Sequence, residues 1–381
     1  MSKRKVNPVR KKAPSFREGK KHTTKASPRL SNGVKPRLIA FEVTRRCRYS
    51  CRHCRANAGI TGDEELTTSE CKRILKAVAK FTSLPLRRQG CMIILTGGEP
   101  MEREDIYELI RYGRKQGLRP VLATCGYLIN EKSIVRLKKA GIRTLSFSLD
   151  GASAETQDRF RGSKGAFDSV IKAAEIARKA HIRFQINTTI SKVNIDEIVG
   201  IVELTKRLGA YCFNAFILVP TGRGKQMADE ILEPVEYEAT LNELLRLKLE
   251  SKIQVRVTCG PQFARVWKQA QAKAKAKGLI EDVSGCMGGR GFGFISYRGD
   301  VQTCGFLDIP AGNLIENGFN FGRIWRESEF LKEIRNVSEY KGKCRICEYA
   351  GICGGCRARA YAMSGDYLAS DPVCEFVKRE G

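Results

Sequence analysis

Four things are scarce in this 381-residue chain, and each scarcity narrows what it can be. No apolar run approaches the roughly 20 residues that a membrane-spanning helix needs, which excludes an integral membrane protein of that kind. Large apolar residues are almost missing from the first 37 positions, which carry 13 Lys and Arg against Glu18 alone. With no apolar h-region this is not a secretory signal. With so little apolar surface to bury it cannot offset the entropy of ordering, so residues 1–36 are expected to form a disordered, solvated basic tail. An organelle transit peptide has a similar composition, and that reading stays open. Solenoid repeats and aromatic–basic recognition motifs are missing too. The excess of 68 Lys and Arg over 41 Asp and Glu therefore speaks for an anionic partner but against a nucleic acid, to which the tail offers only nonspecific contacts. The fourth scarcity is local. "VTRRCRYSCRHCRANAG" places Cys47, Cys51 and Cys54 in C-x3-C-x2-C spacing with no fourth cysteine beside them, although a tetrahedral metal site normally takes four protein ligands.

What is present is cysteine, 15 in all, in short-spaced sets. A large chain without a secretory signal uses such sets for metal binding in a reducing cytosol rather than for disulfides, so the expected location is cytoplasmic. From residue 37 onward short β-rich apolar runs alternate with helical patterns. Strands are expected at Arg37 to Val43, Met92 to Thr96, Pro120 to Thr124, Thr144 to Leu149, Arg183 to Ile190 and Phe213 to Val219, with helices such as "TSECKRILKAVAKF" and "AFDSVIKAAEIARKAH" between them. Six right-handed βα units imply an α/β fold, a partial (βα)6 TIM-like barrel, with ligands at the C-terminal ends of its strands. The cysteine loop follows the first strand at that end. Near residue 255 the pattern changes to "AKAKAKG" and then to Gly-rich, Cys-rich sequence, so the chain divides into a 37–255 core and a 256–381 module.

Three cysteines alone are consistent with half of a zinc site, or with an iron–sulfur cube whose fourth iron is left for a small molecule. Two further segments bear on the choice. "IILTGGEP" closes the second strand, where Gly97 and Gly98 permit close approach to the backbone and Glu99 can accept from an ammonium group; "SLDG" closes the fourth. Together the three segments resemble the radical S-adenosylmethionine superfamily. That resemblance implies a [4Fe–4S] cluster on Cys47, Cys51 and Cys54 and S-adenosylmethionine on the vacant iron. It places Gly97, Gly98 and Glu99 at the methionine amine, and Ser148 and Arg161 at the ribose or carboxylate. His53, where relatives usually carry an aromatic residue, and Leu218 fall on the adenine side. No protein side chain acts as the catalytic group, because the reactive species is the 5′-deoxyadenosyl radical. Cys71, Cys91, Cys125 and Cys212, on helix or strand ends, read as packing residues.

The C-terminal module holds Cys286, Cys304, Cys344, Cys347, Cys353, Cys356 and Cys374, and "CRICEYAGICGGC" resembles SPASM domains, which carry auxiliary iron–sulfur clusters. By position the resemblance implies one [4Fe–4S] cluster on Cys344, Cys347, Cys353 and Cys374. It implies the other on Cys286, Cys304 and Cys356, with Cys259 as a candidate fourth ligand. The last spacing is x2 where many relatives have x3, which leaves one or two clusters open. At finer grain "PRLIAFEVTRRC", "LVPTGRG", "CMGGRGFGFISYRGDVQTCGF" and "CGGCRARAYAMSGDYLASDPVCEF" resemble the heme b synthases of the siroheme-dependent pathway. The likeness covers residues 36 to 376 and departs at "CRYSC". It implies an iron porphyrin substrate, Fe-coproporphyrin III, two of whose propionates become vinyls. It also implies a reduced flavodoxin or ferredoxin as donor, and an electron acceptor near the substrate. Arg223 and Lys225 after the sixth strand, with Arg357 and Arg359, are candidate carboxylate binders. His22 and His181 are not expected to ligate iron. The alternatives are a didecarboxysiroheme deacetylase, a peptide or sulfatase maturase and, in other classes, a cluster-bearing electron carrier or a nucleic-acid-binding protein.

Overall fold

The computed structural model describes residues 35–59, 65–83, 90–271, 275 and 283–376. The basic tail before residue 35 and most of "AKAKAKG" lie outside the described residues.

The strands are β1 (Leu38–Thr44), β2 (Met92–Gly97), β3 (Arg119–Thr124), β4 (Thr144–Ser148), β5 (Arg183–Ile190), β6 (Cys212–Ile217), β7 (Gln254–Thr258), β8 (Phe292–Ile295), β9 (Asp300–Gln302) and β10 (Gly312–Asn313). They form one sheet in the order β10-β9-β8-β1-β2-β3-β4-β5-β6-β7. From β1 to β7 each strand pairs in parallel with its successor. The six expected strands are found within two residues at either end. Period-2 alternation explains why: Phe41, Leu95, Leu122, Phe147, Ile186 and Phe213 point to one side and are buried in the main core beneath the helices. Helix ends follow local chemistry. Thr67 and Glu70 form a reciprocal cap before α1 (Thr68–Thr82), and Gly162 ends α4 (Ala154–Arg161) in the left-handed conformation.

The sheet does not stop at six strands. β7 continues past β6 and straddles the expected change of pattern at residue 255. On the opposite edge, β8 pairs in parallel with β1 from Leu38↔Phe292 to Phe41↔Ile295, and the short antiparallel β9 and β10 follow. Without β8, the outer edge of β1 would present unpaired backbone groups. The Cys-rich module is thus hydrogen-bonded to the barrel sheet itself. Among the described residues no helix is long and apolar enough to cross a membrane.

From β4 to β7 the face that the helices leave uncovered is polar. Gln185 donates to Asn187 (2.9 Å) and Ser146 (3.3 Å), Asn214 to Asn187 (3.3 Å), and Thr258 to Asn214 (3.0 Å), giving a ladder from β4 to β7. Glu42 on β1 shares this face. A polar barrel face costs free energy unless it is solvated or occupied by a polar ligand.

Candidate functional site

The loop after β1 brings Cys47, Cys51 and Cys54 together, packed with Tyr49, Ala166, Cys125 and Tyr127. Each sulfur faces donors. Cys51 accepts from Arg161 (3.8 Å), Cys54 from the Ala58 amide (3.4 Å), and Cys47 from the Tyr49 amide (3.4 Å) and the Tyr127 hydroxyl (3.8 Å). Cys125 also donates its thiol to Cys47, the largest of the effects that bring the Cys47 thiol down to about 6. Donors and a guanidinium around sulfur favour thiolates, the form that binds iron. Among the described residues no three His, Cys, Asp or Glu side chains close on a point as a single ion requires. The fit to a cluster is carried by donor chemistry, three gathered thiols with cationic and N–H support.

The glycines of "TGGEP" have a more immediate role than ligand approach. A Cβ at Gly98 would meet the Arg46 carbonyl at 2.4 Å and Cys47 Cβ at 2.8 Å; one at Gly97, whose φ is +155°, would meet the Thr44 carbonyl at 2.1 Å. It is the cysteine loop that lies against them, held by Gly98 N–H to Thr44 (2.9 Å) and Glu99 N–H to Arg46 (2.8 Å). Glu99 is fully buried, and its carboxylate already accepts from Thr124 (2.8 Å), the Cys125 amide (2.7 Å) and the Met101 amide (3.1 Å). Burial pushes its carboxyl up to about 7, so an ammonium group beside it would restore the charge that burial disfavours.

In "SLDG" the side chain that organises the site is Asp150, which the sequence reading passed over in favour of Ser148. Fully buried, it accepts from the Thr189 amide (2.7 Å) and ion-pairs with Arg161 at 2.5 Å without the alignment of a hydrogen bond. Its Oδ2 lies 3.9 Å from His53 Nε2. Burial drives the His53 pKa down to about 3, leaving a neutral ring 4.5 Å from that of Phe160. His53 Nδ1, Arg161 Nε and Asp150 Oδ2 are buried without hydrogen-bond partners. Such orphans beside the cysteine loop suit a polar cosubstrate. Ser148 ends β4 half-buried, and Leu218 is buried in the core with its amide donated to Ile190 (3.0 Å).

Three of the four expected carboxylate binders are placed otherwise. Arg223 donates to the carbonyls of Cys51 (2.9 Å) and Ala58 (2.6 Å), so it clamps the cysteine loop from the segment after β6. Arg357 is buried, donating to the carbonyls of Ala369 (2.6 Å) and Tyr367 (3.1 Å) and to Cys344 Sγ (3.5 Å). Arg359 is fully buried, donating to the Cys259 carbonyl and lying 3.6 Å from Asp371. An arginine surrounded by orphaned carbonyls is worth more as scaffold than as a surface anchor, which short motifs cannot reveal. Lys225 alone stays exposed.

The C-terminal cysteines form two groups around these arginines. Cys344, Cys347, Cys353 and Cys374 line one cleft of about 350 Å³, including its open mouth, with Gln262, Asp371 and Phe376. Amides of Tyr349 and Gly355 donate to Cys347 and Cys353, each at 3.4 Å. Cys259, Cys304 and Cys356 share an apolar cluster with Val219, Leu307 and Ala358. Cys259 donates its thiol to Cys356, which is drawn down to about 7. Cys286 is near enough to Cys356 and Cys304 for their charges to interact. Asp371 joins the groups, accepting from the Cys356 amide and from Gln262, both at 2.8 Å.

A comparison with known families agrees with this layout. Residues 41–205 match the radical SAM superfamily, and residues 286–349 match the SPASM iron–sulfur cluster-binding domain. The AdoMet-dependent heme synthase of Methanosarcina barkeri (strain Fusaro / DSM 804) is 45% identical over 346 residues, 89% of this chain and 96% of the relative. The chain belongs to the AdoMet-dependent heme synthases of the radical SAM superfamily. Another M. barkeri protein, an Fe-coproporphyrin III synthase, is 32% identical over 92% of this chain and 90% of its own length. Among solved structures, Streptococcus suis SuiB bound to its precursor peptide shares the fold with a TM-score of 0.69 at 17% identity, covering 91% of this chain and 77% of SuiB. As a member of this family the protein uses a [4Fe–4S] cluster with S-adenosylmethionine, and its C-terminal domain holds auxiliary iron–sulfur.

Proposed function

We propose that this heme synthase family member converts Fe-coproporphyrin III to heme b by oxidative decarboxylation of two propionates. Cys47, Cys51 and Cys54 hold the radical cluster, and two auxiliary clusters sit on Cys344, Cys347, Cys353 and Cys374 and on Cys259, Cys286, Cys304 and Cys356. The observation that carries the reading is the 45% identity to a heme synthase across nearly the whole of both chains. When bound, the radical cluster and S-adenosylmethionine supply a carbon-centred radical that takes a hydrogen atom from a propionate β-carbon. The substrate then breaks its bond to the carboxylate: one electron of that bond pairs with the radical electron to form the vinyl, the other leaves, and carbon dioxide departs.

The residues divide this work near residue 255. In the 37–255 part, Glu99, Asp150 and Arg161 offer charges of both signs to the amino-acid and ribose ends of the cosubstrate, and the neutral His53 ring stands where an adenine can lie. In the 256–381 part, the buried Arg359 and Asp371 brace Cys259 and Cys356, and Cys304 stands two residues before Phe306, which faces Phe216 of β6, where the released electron needs an acceptor. A reduced flavodoxin or ferredoxin in a reducing cytoplasm is the donor this scheme calls for.

The test is an anaerobic assay of reconstituted protein with S-adenosylmethionine and reductant, offered Fe-coproporphyrin III or 12,18-didecarboxysiroheme and read by mass spectrometry. Loss of two carbon dioxides from the first is expected. Release of 5′-deoxyadenosine with both tetrapyrroles unchanged would sink the reading, and conversion of the second alone would move the protein to the sister activity.

A further inference from the structure

One cation at the mouth of the barrel is left without a hydrogen bond. Arg55 directly follows Cys54, and among the described residues its guanidinium makes only an ion pair with Glu42, at 3.8 Å, too long for a hydrogen bond; its side chain is 19% exposed. The same Glu42 oxygen lies 3.7 Å from Arg45 Nε, so one buried carboxylate atom without a hydrogen bond faces two guanidinium groups. The Arg55 guanidinium lies over the Phe294 ring at 4.6 Å, and a Cβ on Gly305 would meet its Cζ and Nε at 3.0 Å. Gly305 stands between Cys304 and Phe306, and Phe306 faces Phe216 of β6 with ring centroids 6.4 Å apart. Arg55 therefore stands between the radical-site loop and the loop that carries Cys304, with the Phe294 ring on one side and the Gly305 backbone close by.

The Arg55 nitrogens hydrogen-bond no described protein group and keep contact with solvent, so their fork is open to a carboxylate in bidentate fashion. We propose that Arg55 anchors the carboxylate of the reacting propionate, and that Glu42 is the counter-charge that holds its guanidinium there between turnovers. This rests on the porphyrin reading above. The position favours the reacting carboxylate over a retained one, because Arg55 is one residue from Cys54 and the hydrogen atom is taken on that side.

The test uses reconstituted holoenzyme titrated with Fe-coproporphyrin III and, separately, with heme b, which lacks the two reacting carboxylates; binding is read from the porphyrin absorbance. Arg55→Gln is expected to weaken Fe-coproporphyrin III binding on the order of tenfold or more and heme b binding by less than about twofold, with Arg55→Lys in between. Retained substrate-free cleavage of S-adenosylmethionine shows that the variant is folded; if Arg55→Gln loses it, the Arg55→Lys ratio carries the comparison. Unchanged Fe-coproporphyrin III affinity, or equal losses for both porphyrins, would overturn the anchor. A wild-type holoenzyme that binds neither porphyrin would overturn the porphyrin reading, and the anchor with it, before any variant is made.

Discussion

The cysteine loop after β1 and the cysteine groups after β7 are built from the same thiol chemistry but are completed differently. The C-terminal cleft is lined by four cysteines, and the second group draws Cys259 from the end of β7 to make four. The loop has three from its own motif, and around it stand His53 Nδ1 and Arg161 Nε without hydrogen-bond partners, beside the Asp150–Arg161 ion pair. A closed donor set is suited to store or pass electrons. An open one, with unsatisfied polar groups beside it, is suited to bind a reactant. The open site has its own local support, with Gly97, Gly98 and Arg223 all serving to hold the loop's backbone.

Removing one thiol on each side of this comparison is expected to have separable effects. Cys51→Ala should abolish S-adenosylmethionine cleavage, read as 5′-deoxyadenosine, while iron analysis shows the C-terminal complement retained; loss of all iron would mean that the two regions do not assemble independently. Cys356→Ser should leave 5′-deoxyadenosine formation but lower decarboxylation on the order of a hundredfold, uncoupling cleavage from product. If both fell equally, the C-terminal group would be structural only.

Gly98→Ala probes how the loop is held. With the new Cβ 2.4 Å from the Arg46 carbonyl, it should cost about 1–3 kcal/mol and lower the melting temperature along with cluster content. A variant with native stability and cluster would show that the loop has room to shift. Cys125→Ser tests whether the neighbour of Cys47 is a hidden fourth ligand. Cleavage within about threefold of wild type is expected if Cys125 serves as a hydrogen-bond donor, because serine keeps that donor; failure to reconstitute the cluster would make it a ligand. Deleting residues 1–34 should have the smallest effect, with turnover unchanged in the same mass-spectrometric assay.

Legibility varied with the range of the interaction. The six central strands were readable because burial on one side writes a two-residue period into each of them. Strands of two to four residues, such as β8 to β10, are too short to show a period, and the pairing of β8 with β1 is a long-range event. Arg223, Arg357 and Arg359 read as candidate carboxylate binders because motif spacing does not say which backbone carbonyls a fold will bring to an arginine. Asp150 and Cys125 were visible as letters in "SLDG" and "TCGY", but their importance depends on Arg161 and Cys47, far away in sequence.

By itself the sequence determined the α/β class, the strand positions and the two kinds of cysteine set, since these rest on periodicity and on spacing within a single loop. Only the tertiary structure decided that β8 stitches the C-terminal module onto β1 and that all three candidate arginines donate to backbone carbonyls. It also decided that Arg55 hydrogen-bonds no described residue and faces Glu42 at 3.8 Å. Those outcomes depend on which buried polar groups meet across distant segments, and a buried charge or carbonyl takes whatever partner the fold brings within hydrogen-bond reach.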